Sequence, residues 1–207
     1  QLGNPDIWIT QVGGSQAVNR TADYDGEDRD PSWSPDGTQI AFSSTRDGEG
    51  IFLMAAIGGS PRKLVSADGD LARYPQWSTD GSALAFLRES LDGDIRTNVV
   101  EIVSLSGEVR ERVALPPGAP FVADLRWSPD RRMFAYIRTA SRTLADTTRL
   151  WLLRVGEDQA IALSDGQTKV ASPQWTSDSR SLRFVSNRGG SMDLWQQRLS
   201  TDGSPDG

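Results

Sequence analysis

The 207-residue chain contains no cysteine and no histidine. Without cysteine it has no disulfide, no thiolate nucleophile and no cysteine-ligated metal. Without histidine it lacks an imidazole for acid–base catalysis, and it cannot form a Ser-His-Asp triad or a histidine-ligated zinc site. It also has no G-x-S-x-G nucleophile elbow, no P-loop and no G-x-G-x-x-G motif. The sequence therefore predicts a chain that is not itself an enzyme and that has no catalytic, cofactor or metal site.

Two further classes of function are disfavoured by charge and hydropathy. The net charge is −6, whereas phosphate binding requires a basic face, so nucleic acid is not an expected partner. No run approaches the 18 apolar residues of a membrane-spanning helix, so membrane insertion is not expected. Glycine (20 residues), proline (11 residues) and aspartate are abundant, and these residues favour tight turns rather than helices.

One sequence pattern occurs four times along the chain. The repeated stretches are PSWSPDGTQIAF from Pro31, PQWSTDGSALAF from Pro75, LRWSPDRRMFAY from Leu125 and PQWTSDSRSLRF from Pro173. Their tryptophans are Trp33, Trp77, Trp127 and Trp175, separated by 44, 50 and 48 residues. Each is followed by a second apolar stretch and in most repeats by a third. The pattern predicts units of four short strands.

Backbone chemistry explains the turn that follows each tryptophan. In the Ser-Pro-Asp-Gly turn that begins at Ser34, proline presets φ, Asp36 bonds to local amides, and Gly37 supplies the positive φ that closes the hairpin. Arg131 and Ser179 occupy the glycine position in the last two repeats. Either those residues keep the left-handed conformation at a cost of about 1 kcal/mol each, or the two turns are rebuilt.

Four-stranded units of this length, each with a tryptophan, are typical of a β-propeller. We expect an all-β fold of four-stranded antiparallel blades, with about four to five blades present. Each blade is stable only when it is sandwiched between neighbours, which explains why the second strand of each unit is almost continuously apolar.

The repeat x-P-x-W-S-P-D-G-x-x-I-A-F, followed by D-I-W-type strands, resembles the TolB-like propeller family. The resemblance covers essentially the whole chain and implies WD-like repeats with Ser-Pro-Asp-Gly turns. Relatives of that family imply three settings: a periplasmic partner-binding protein of the Tol–Pal system, the propeller that gates prolyl oligopeptidase-type serine peptidases, and a sensor propeller attached to bacterial kinases or winged-helix regulators. The run DIWITQVGGSQAVNRTAD looks most like the third setting. The resemblance also favours a bacterial, extracytoplasmic (periplasmic) location.

Counting strands indicates a partial ring. The N-terminal stretch supplies two strands of one blade, three complete units follow, and the C-terminal stretch supplies three strands of another. We expect a segment of a six- to eight-bladed ring, or a chain that completes its ring by self-association through open blade edges. The approximate units within the single propeller region 1–207 are 1–29, 30–73, 74–123, 124–171 and 172–207.

The repeated residues have a structural interpretation. The turn aspartates Asp36, Asp80, Asp130 and Asp178 are explained by turn chemistry rather than by a ring of carboxylates. The four repeat tryptophans are expected to pack in the core between blades. The acidic run Asp23–Asp30 fails the spacing of a calcium loop and is interpreted as a solvated connector.

Two features are candidate contacts with a partner. Arginines in the third repeat form a locally basic patch that would suit an acidic partner at the rim: Arg131, Arg132, Arg138 and Arg142. The irregular inserts Glu89–Asn98, Pro116–Asp124 and Thr139–Thr148 are further places to expect contacts, because loops carry function on a rigid scaffold.

The sequence thus predicts a non-catalytic propeller module that binds a protein or peptide, as a sensor or scaffold of a bacterial envelope or signalling protein. The alternative is a gating or substrate-guiding propeller of a serine peptidase whose catalytic domain lies outside this chain. The identity of the partner is not encoded in these patterns.

Overall fold

The computed structural model describes residues 4–116, 121–140 and 148–206. Within those ranges every regular element is a β-strand. There is accordingly no helix in them that is long and apolar enough to cross a membrane. The strands form one two-stranded, three four-stranded and one three-stranded sheet, each with its strands in sequence order.

The seventeen strands of the described residues are assigned to sheets as follows. The two-stranded sheet contains β1 (Trp8–Thr10) and β2 (Ala17–Asn19). The first four-stranded sheet contains β3 (Asp28–Trp33), β4 (Gln39–Ser44), β5 (Gly50–Ala55) and β6 (Arg62–Ser66). The second contains β7 (Leu71–Trp77), β8 (Ala83–Asp92), β9 (Ile95–Ser104) and β10 (Val109–Ala114). The third contains β11 (Phe121–Trp127), β12 (Met133–Thr139), β13 (Thr148–Arg154) and β14 (Ala160–Ala162). The last sheet contains β15 (Val170–Trp175), β16 (Ser181–Ser186) and β17 (Asp193–Arg198).

The chain divides into two compact units. The first comprises the described residues up to Ser90 together with Glu101–Arg110, and the second comprises Leu91–Val100 together with the described residues from Glu111 onward. Each unit has its own hydrophobic core, so the two are described separately.

In the first unit, the sheet β3–β6 buries both of its faces. Successive side chains of a strand point to opposite faces. In β4, Ile40 and Phe42 join one apolar cluster, whereas Ala41 between them joins another. In β5, Phe52 belongs to the first cluster and Leu53 to the second. This two-sided burial is the reason that the second and third strands of a repeat carry apolar residues in succession.

The second unit is built in the same way. Alternate residues of β12, such as Ala135 and Ile137, pack in a core with Leu150, Leu182 and Phe184. All seven residues of β12 are buried, because both faces of its sheet are covered. The predicted four-stranded, antiparallel, all-β repeats are confirmed.

The turns after the repeat tryptophans keep one conformation in all four repeats. Gly37 and Gly81 each have φ of 69°, Arg131 has 64° and Ser179 has 59°. The two non-glycine turns are therefore not rebuilt, and the chain retains the strain of a left-handed conformation at both positions.

A β-bulge that the sequence did not predict lies three residues before each repeat tryptophan. Its residues have positive φ although none is glycine: Asp30 (53°), Tyr74 (54°), Asp124 (71°) and Ser172 (53°). At these points the pairing of the first strand with the second shifts its register in every repeat. Bulges bend a strand and re-aim its side chains. The shift is thus part of the repeat rather than an accident of one strand.

The repeat tryptophans are not equivalent. The indole N–H of Trp77 donates to the carbonyl of Ser32 at 3.1 Å, and that of Trp175 donates to the carbonyl of Arg126 at 3.1 Å, one repeat earlier in each case. Trp127 stacks on Phe134, with ring centroids 5.5 Å apart.

Trp33 departs from this packing, because it is 50% exposed. The prediction that all four tryptophans are core residues is therefore wrong for Trp33. The sheet that precedes it contains only β1 and β2 in the described part of the chain. Trp77 and Trp175 each donate a hydrogen bond to the first strand of the preceding sheet. The described part of the sheet before Trp33 has no equivalent strand to accept its indole N–H.

The three expected inserts have different outcomes. Glu89–Asn98 is not irregular, because β8 and β9 run through it as two ten-residue strands. The other two inserts fall partly outside the described residues, at 117–120 and 141–147.

Candidate functional site

Each turn aspartate is held by its own turn. The hydroxyl of Ser34 donates to Asp36 at 2.6 Å, and the backbone N–H of Thr38 donates to the same carboxylate oxygen at 3.0 Å. Ser78–Asp80, Ser128–Asp130 and Thr176–Asp178 repeat the hydroxyl contact at 2.6–2.7 Å. The hydroxyl of Ser34 lowers the pKa of Asp36, as the hydroxyl of Thr176 lowers that of Asp178. These carboxylates are charged acceptors that stabilise their own turns.

What differs between the turns is the residue after the left-handed position. In the first two repeats it is Thr38 or Ser82, whose hydroxyl also donates to the turn aspartate. In the last two repeats it is Arg132 or Arg180, and both arginines are exposed. Compared with the first two turns, the two turns of the second unit thus have a strained non-glycine residue in place of glycine, and an arginine in place of the hydroxyl residue.

These two turns border a cavity of about 420 Å³ in the second unit. The N–H of Asp130 donates to the hydroxyl of Ser179 at 3.0 Å, which ties one turn to the other. A third wall comes from Arg198 and the turn at 199–206, in which Ser200 and Ser204 donate to Asp202.

Three arginines line the cavity, Arg132, Arg180 and Arg198, together with three aspartates, Asp130, Asp178 and Asp206. Ion pairs elsewhere in this unit include Arg126–Asp124 at 3.1 Å and Arg154–Glu157 at 3.2 Å. None of the three cavity arginines forms such a pair with a residue that the structure describes. Asp130 and Asp178 accept hydrogen bonds from their own turns and keep their negative charge; the hydroxyl of Thr176 and, to a smaller extent, the charge of Arg180 lower the pKa of Asp178. The cavity therefore combines guanidinium donors with carboxylates.

The predicted basic patch is only partly found. Arg131 and Arg132 are exposed, as expected of a rim contact. Arg138 is only 5% exposed, so the prediction of a rim contact is wrong for this residue. Its guanidinium lies 5.7 Å from the Tyr136 ring and donates to the carbonyl of Pro116. Arg142 lies outside the described residues.

Sequence reasoning missed Arg180 and Arg198. Arg180 follows Ser179 just as Arg132 follows Arg131, so a comparison of the four turns position by position contained the signal. Arg198 comes from a different strand, β17, and only the fold brings it to the same cavity.

The acidic run contains a buried ion pair. The side chain of Asp28 is fully buried and accepts a hydrogen bond from Arg46 at 2.7 Å; Asp23 lies 3.6 Å from the same guanidinium. Burial by itself lowers the pKa of Arg46, but the hydrogen bond and the charge of Asp28 outweigh it and raise that pKa. The interpretation of this run as solvated is therefore wrong for Asp28. In the described ranges, no three acidic side chains gather as metal ligands.

Asp30, in the first bulge, gives a pH-dependent prediction. Burial raises its pKa above 3.8, against the lowering effect of the Arg73 charge and of the N–H of Tyr74. Because the folded-state pKa is the higher one, the folded protein holds this proton more tightly, and stability falls as pH rises from the unfolded value through the folded one. We expect Asp30→Asn to raise the melting temperature at pH 7, with the gain disappearing below about pH 3.8.

The control for this substitution is Asp68→Asn. Asp68 also has a left-handed φ, of 53°, but its side chain is exposed. Asparagine tolerates that conformation at both positions. Melting temperatures of both variants are measured at pH 7 and below about pH 3.8. An equal rise in melting temperature for Asp68→Asn would assign the effect to the backbone rather than to the buried charge of Asp30.

Comparisons with known proteins agree with this fold. The model of the tricorn protease N-terminal β-propeller domain matches residues 3–204. The chain belongs to this family. Its β-propeller fold class, its resemblance to TolB-like propellers and its partial extent are thereby confirmed. The solved structure of TolB from Acinetobacter baumannii is similar to 97% of the chain at a TM-score of 0.68 and 19% identity, and the match covers 48% of that protein.

Peptidases are also among the similar proteins. Tricorn protease homolog 1 of Streptomyces coelicolor is 28% identical over 198 residues, which is 92% of the chain but 18% of that relative. The uncharacterized peptidase YuxL of Bacillus subtilis is 39% identical over 85 residues, 38% of the chain and 12% of the relative. A puromycin-hydrolyzing peptidase of Mycobacterium tuberculosis has a similar fold over 93% of the chain and 34% of that protein, at a TM-score of 0.63 and 18% identity. The chain thus spans 12–34% of the length of these three peptidases.

Proposed function

We propose that this chain is a non-catalytic, protein- or peptide-binding propeller segment of a larger bacterial protein, and that the arginine-lined cavity of its second unit takes an acidic stretch of the partner. The observation that carries the proposal is that Arg132, Arg180 and Arg198 line one cavity and that, although Asp130, Asp178 and Asp206 line it too, none of the three arginines forms an ion pair in the described part of the chain. The cavity's size is within the range of roughly 300–1,000 Å³ that is usual for ligand sites.

Electrostatics sets the character of this binding. Arginine presents a planar fork of donors that matches a carboxylate. Since the three side chains are exposed, each contact is screened by water and salt and contributes about 0.2–1 kcal/mol. We therefore expect weak affinity that falls as salt is added, with specificity for Asp- and Glu-rich segments.

Fluorescence anisotropy with a labelled Asp/Glu-rich peptide tests this proposal. The triple variant Arg132→Gln, Arg180→Gln and Arg198→Gln should bind about threefold to 150-fold more weakly than the natural chain at low salt. A matched control removes three exposed arginines elsewhere, by Arg62→Gln, Arg110→Gln and Arg183→Gln. Equal losses in both variants would mean that only net charge matters, and the cavity would be rejected as the site.

A second candidate is favoured by the comparisons: the chain gates or guides substrate to a serine peptidase domain elsewhere in the same polypeptide. The supporting observation is that the tricorn protease homolog matches 92% of this chain while 82% of that relative lies outside the match (100% minus 18%). Deleting this segment from the whole protein should then speed the hydrolysis of long peptides relative to short ones. An unchanged length preference, with the rest of the protein folded, argues against a gate.

Compartment and self-association complete the proposal. The likeness to TolB supports an extracytoplasmic setting. Self-association is supported by the outer edge of β17, because β17 is the last strand in a sheet of three and an edge strand can pair with another chain. Sedimentation over a range of concentrations tests the association, which should strengthen as concentration rises.

A further inference from the structure

In every repeat an arginine lies within the second strand or two residues after it, over that strand's aromatic ring. The distances from guanidinium to ring centroid are 5.9 Å for Arg46 and Phe42, 5.7 Å for Arg88 and Phe86, 5.7 Å for Arg138 and Tyr136, and 4.9 Å for Arg188 and Phe184. A cation over a ring face is attracted by the ring quadrupole, so each aromatic ring helps to orient its arginine.

In the first three repeats this cation is used inside the fold. Arg46 pairs with Asp28 at 2.7 Å, and Arg88 pairs with Glu101 at 3.1 Å. Arg138 is buried and donates to the carbonyl of Pro116. These guanidinium groups are therefore committed to internal acceptors.

The fourth repeat keeps the arginine and loses its acceptor. Asp28 pairs with Ser44 across the sheet, and Val170 pairs with Ser186 in the same way. Arg46 and Arg188 each lie two residues after that serine, and each donates its backbone N–H to the serine hydroxyl. Val170 therefore occupies in the fourth repeat the position that Asp28 occupies in the first, and it has no charge to offer. Arg188 is exposed and forms no ion pair with any residue in the described ranges.

Two aromatic rings hold Arg188 in place. Its guanidinium lies 4.9 Å from the centroid of Phe184 and 4.9 Å from that of Trp195. The indole of Trp195 is itself fixed, because its N–H donates to the carbonyl of Ser186 at 3.1 Å. Contact through ring faces leaves the N–H donors at the guanidinium edge free for a ligand.

Arg188 lines a cavity of about 270 Å³ together with Leu163, Ser164, Asp165 and Thr168. The hydroxyl of Ser164 accepts the N–H of Leu150 at 2.9 Å, which leaves its proton free to donate into the cavity. Asp165 accepts the N–H of Gln167 through one oxygen and retains a second oxygen as an acceptor. The cavity therefore combines one oriented cation, hydroxyl donors and one carboxylate.

We propose that this cavity binds the carboxylate group of a peptide, with Arg188 as its ion partner and Ser164 as a hydrogen-bond donor. Asp165 accepts a backbone N–H of the same peptide. The negative charge of Asp165 opposes a compact anion such as phosphate, whereas a peptide end carries both an anion and a donor. This cavity shares no residue with the arginine-lined cavity proposed above, so either site can fail without the other.

The test is an NMR titration of the chain with an acetylated tripeptide that has a free C-terminal carboxylate and no acidic side chain. The indole N–H signal of Trp195 reports on the site. Arg188→Gln should weaken binding by up to about fivefold, as expected when an exposed arginine loses its carboxylate partner. Arg188→Lys keeps the charge but not the fork, and should weaken binding by a smaller factor. Arg183→Gln removes an exposed arginine of β16, the strand that ends two residues before Arg188, and is the matched control.

Two further ligands identify the source of the carboxylate. The tripeptide as its C-terminal amide should not bind, and the same amide with an internal glutamate binds only if a side-chain carboxylate is also accepted. Equal binding of the neutral amide, equal binding by the Arg188→Gln variant, tighter binding of inorganic phosphate, or a Trp195 signal that does not move would each overturn the proposal.

Discussion

Replacing Asp28 with alanine should destabilise the protein by about 3–5 kcal/mol, as when one partner of a buried ion pair is removed. The side chain of Asp28 has no exposed surface, and that of Arg46 is 10% exposed. Without Asp28, the guanidinium stays beneath Tyr24, 4.6 Å from the ring centroid, and only the exposed carboxylate of Asp23 remains near its charge. Urea unfolding followed by tryptophan fluorescence measures the loss.

Two variants separate this effect from a general loss of charge. Asp23→Ala removes the exposed carboxylate that lies 3.6 Å from the same arginine, and should cost less than about 1 kcal/mol. Replacing both members of the buried pair, by Asp28→Val and Arg46→Met, should restore much of the stability, because an apolar pair of similar volume has no charge to compensate. If Asp23→Ala and Asp28→Ala lower the free energy of unfolding by the same amount, the claim that the buried Asp28–Arg46 pair stabilises the fold more than the exposed contact is wrong.

The second large effect is expected at Trp77. Trp77→Ala should cost about 3 kcal/mol, the lower end of the range for a large aromatic side chain, because the indole is only partly buried. The substitution removes packing against the core of the first unit and the hydrogen bond to the carbonyl of Ser32. The same urea titration measures it.

Trp33→Ala is the matched comparison. It removes the same side chain at the same repeat position, but from a half-exposed site. We expect a loss of about 1 kcal/mol or less, since little apolar surface is returned to water. A loss as large as that of Trp77→Ala would show that Trp33 is covered in solution by a further part of the polypeptide or by a second copy.

The repeat pattern was sufficient to predict the sheets, because turn chemistry and two-sided burial act locally. An aspartate three residues after each tryptophan, with a proline or a glycine beside it in the first three repeats, defines a hairpin, and the second strand that follows must be apolar on both faces. The environment of Trp33 was not predictable in this way. It depends on the sheet that precedes the repeat, and identical repeat residues cannot report a difference in their neighbours.

The bulge was hidden for a different reason. Asp30, Tyr74, Asp124 and Ser172 share a left-handed φ but no chemistry, so no residue type marks the position. The pair Asp28–Arg46 was missed because its members are 18 residues apart and Asp28 lies in a run that reads as solvated.

The candidate site was predictable in part. Arg131 and Arg132 stood out because two adjacent arginines replace a glycine and a hydroxyl residue in the turn motif. Arg198 could not be inferred, since the return of β17 to the same edge is a property of the folded sheet.

One measurement tests the central claim, which is that this segment binds acidic peptide without cleaving it. The chain is titrated with an Asp/Glu-rich peptide while the side-chain N–H signals of its arginines are followed by NMR, and the peptide recovered afterwards is weighed by mass spectrometry. We predict the largest shifts at Arg132, Arg180 and Arg198, and an intact peptide. Shifts confined to arginines outside the cavity, or a cleaved peptide, would contradict the account.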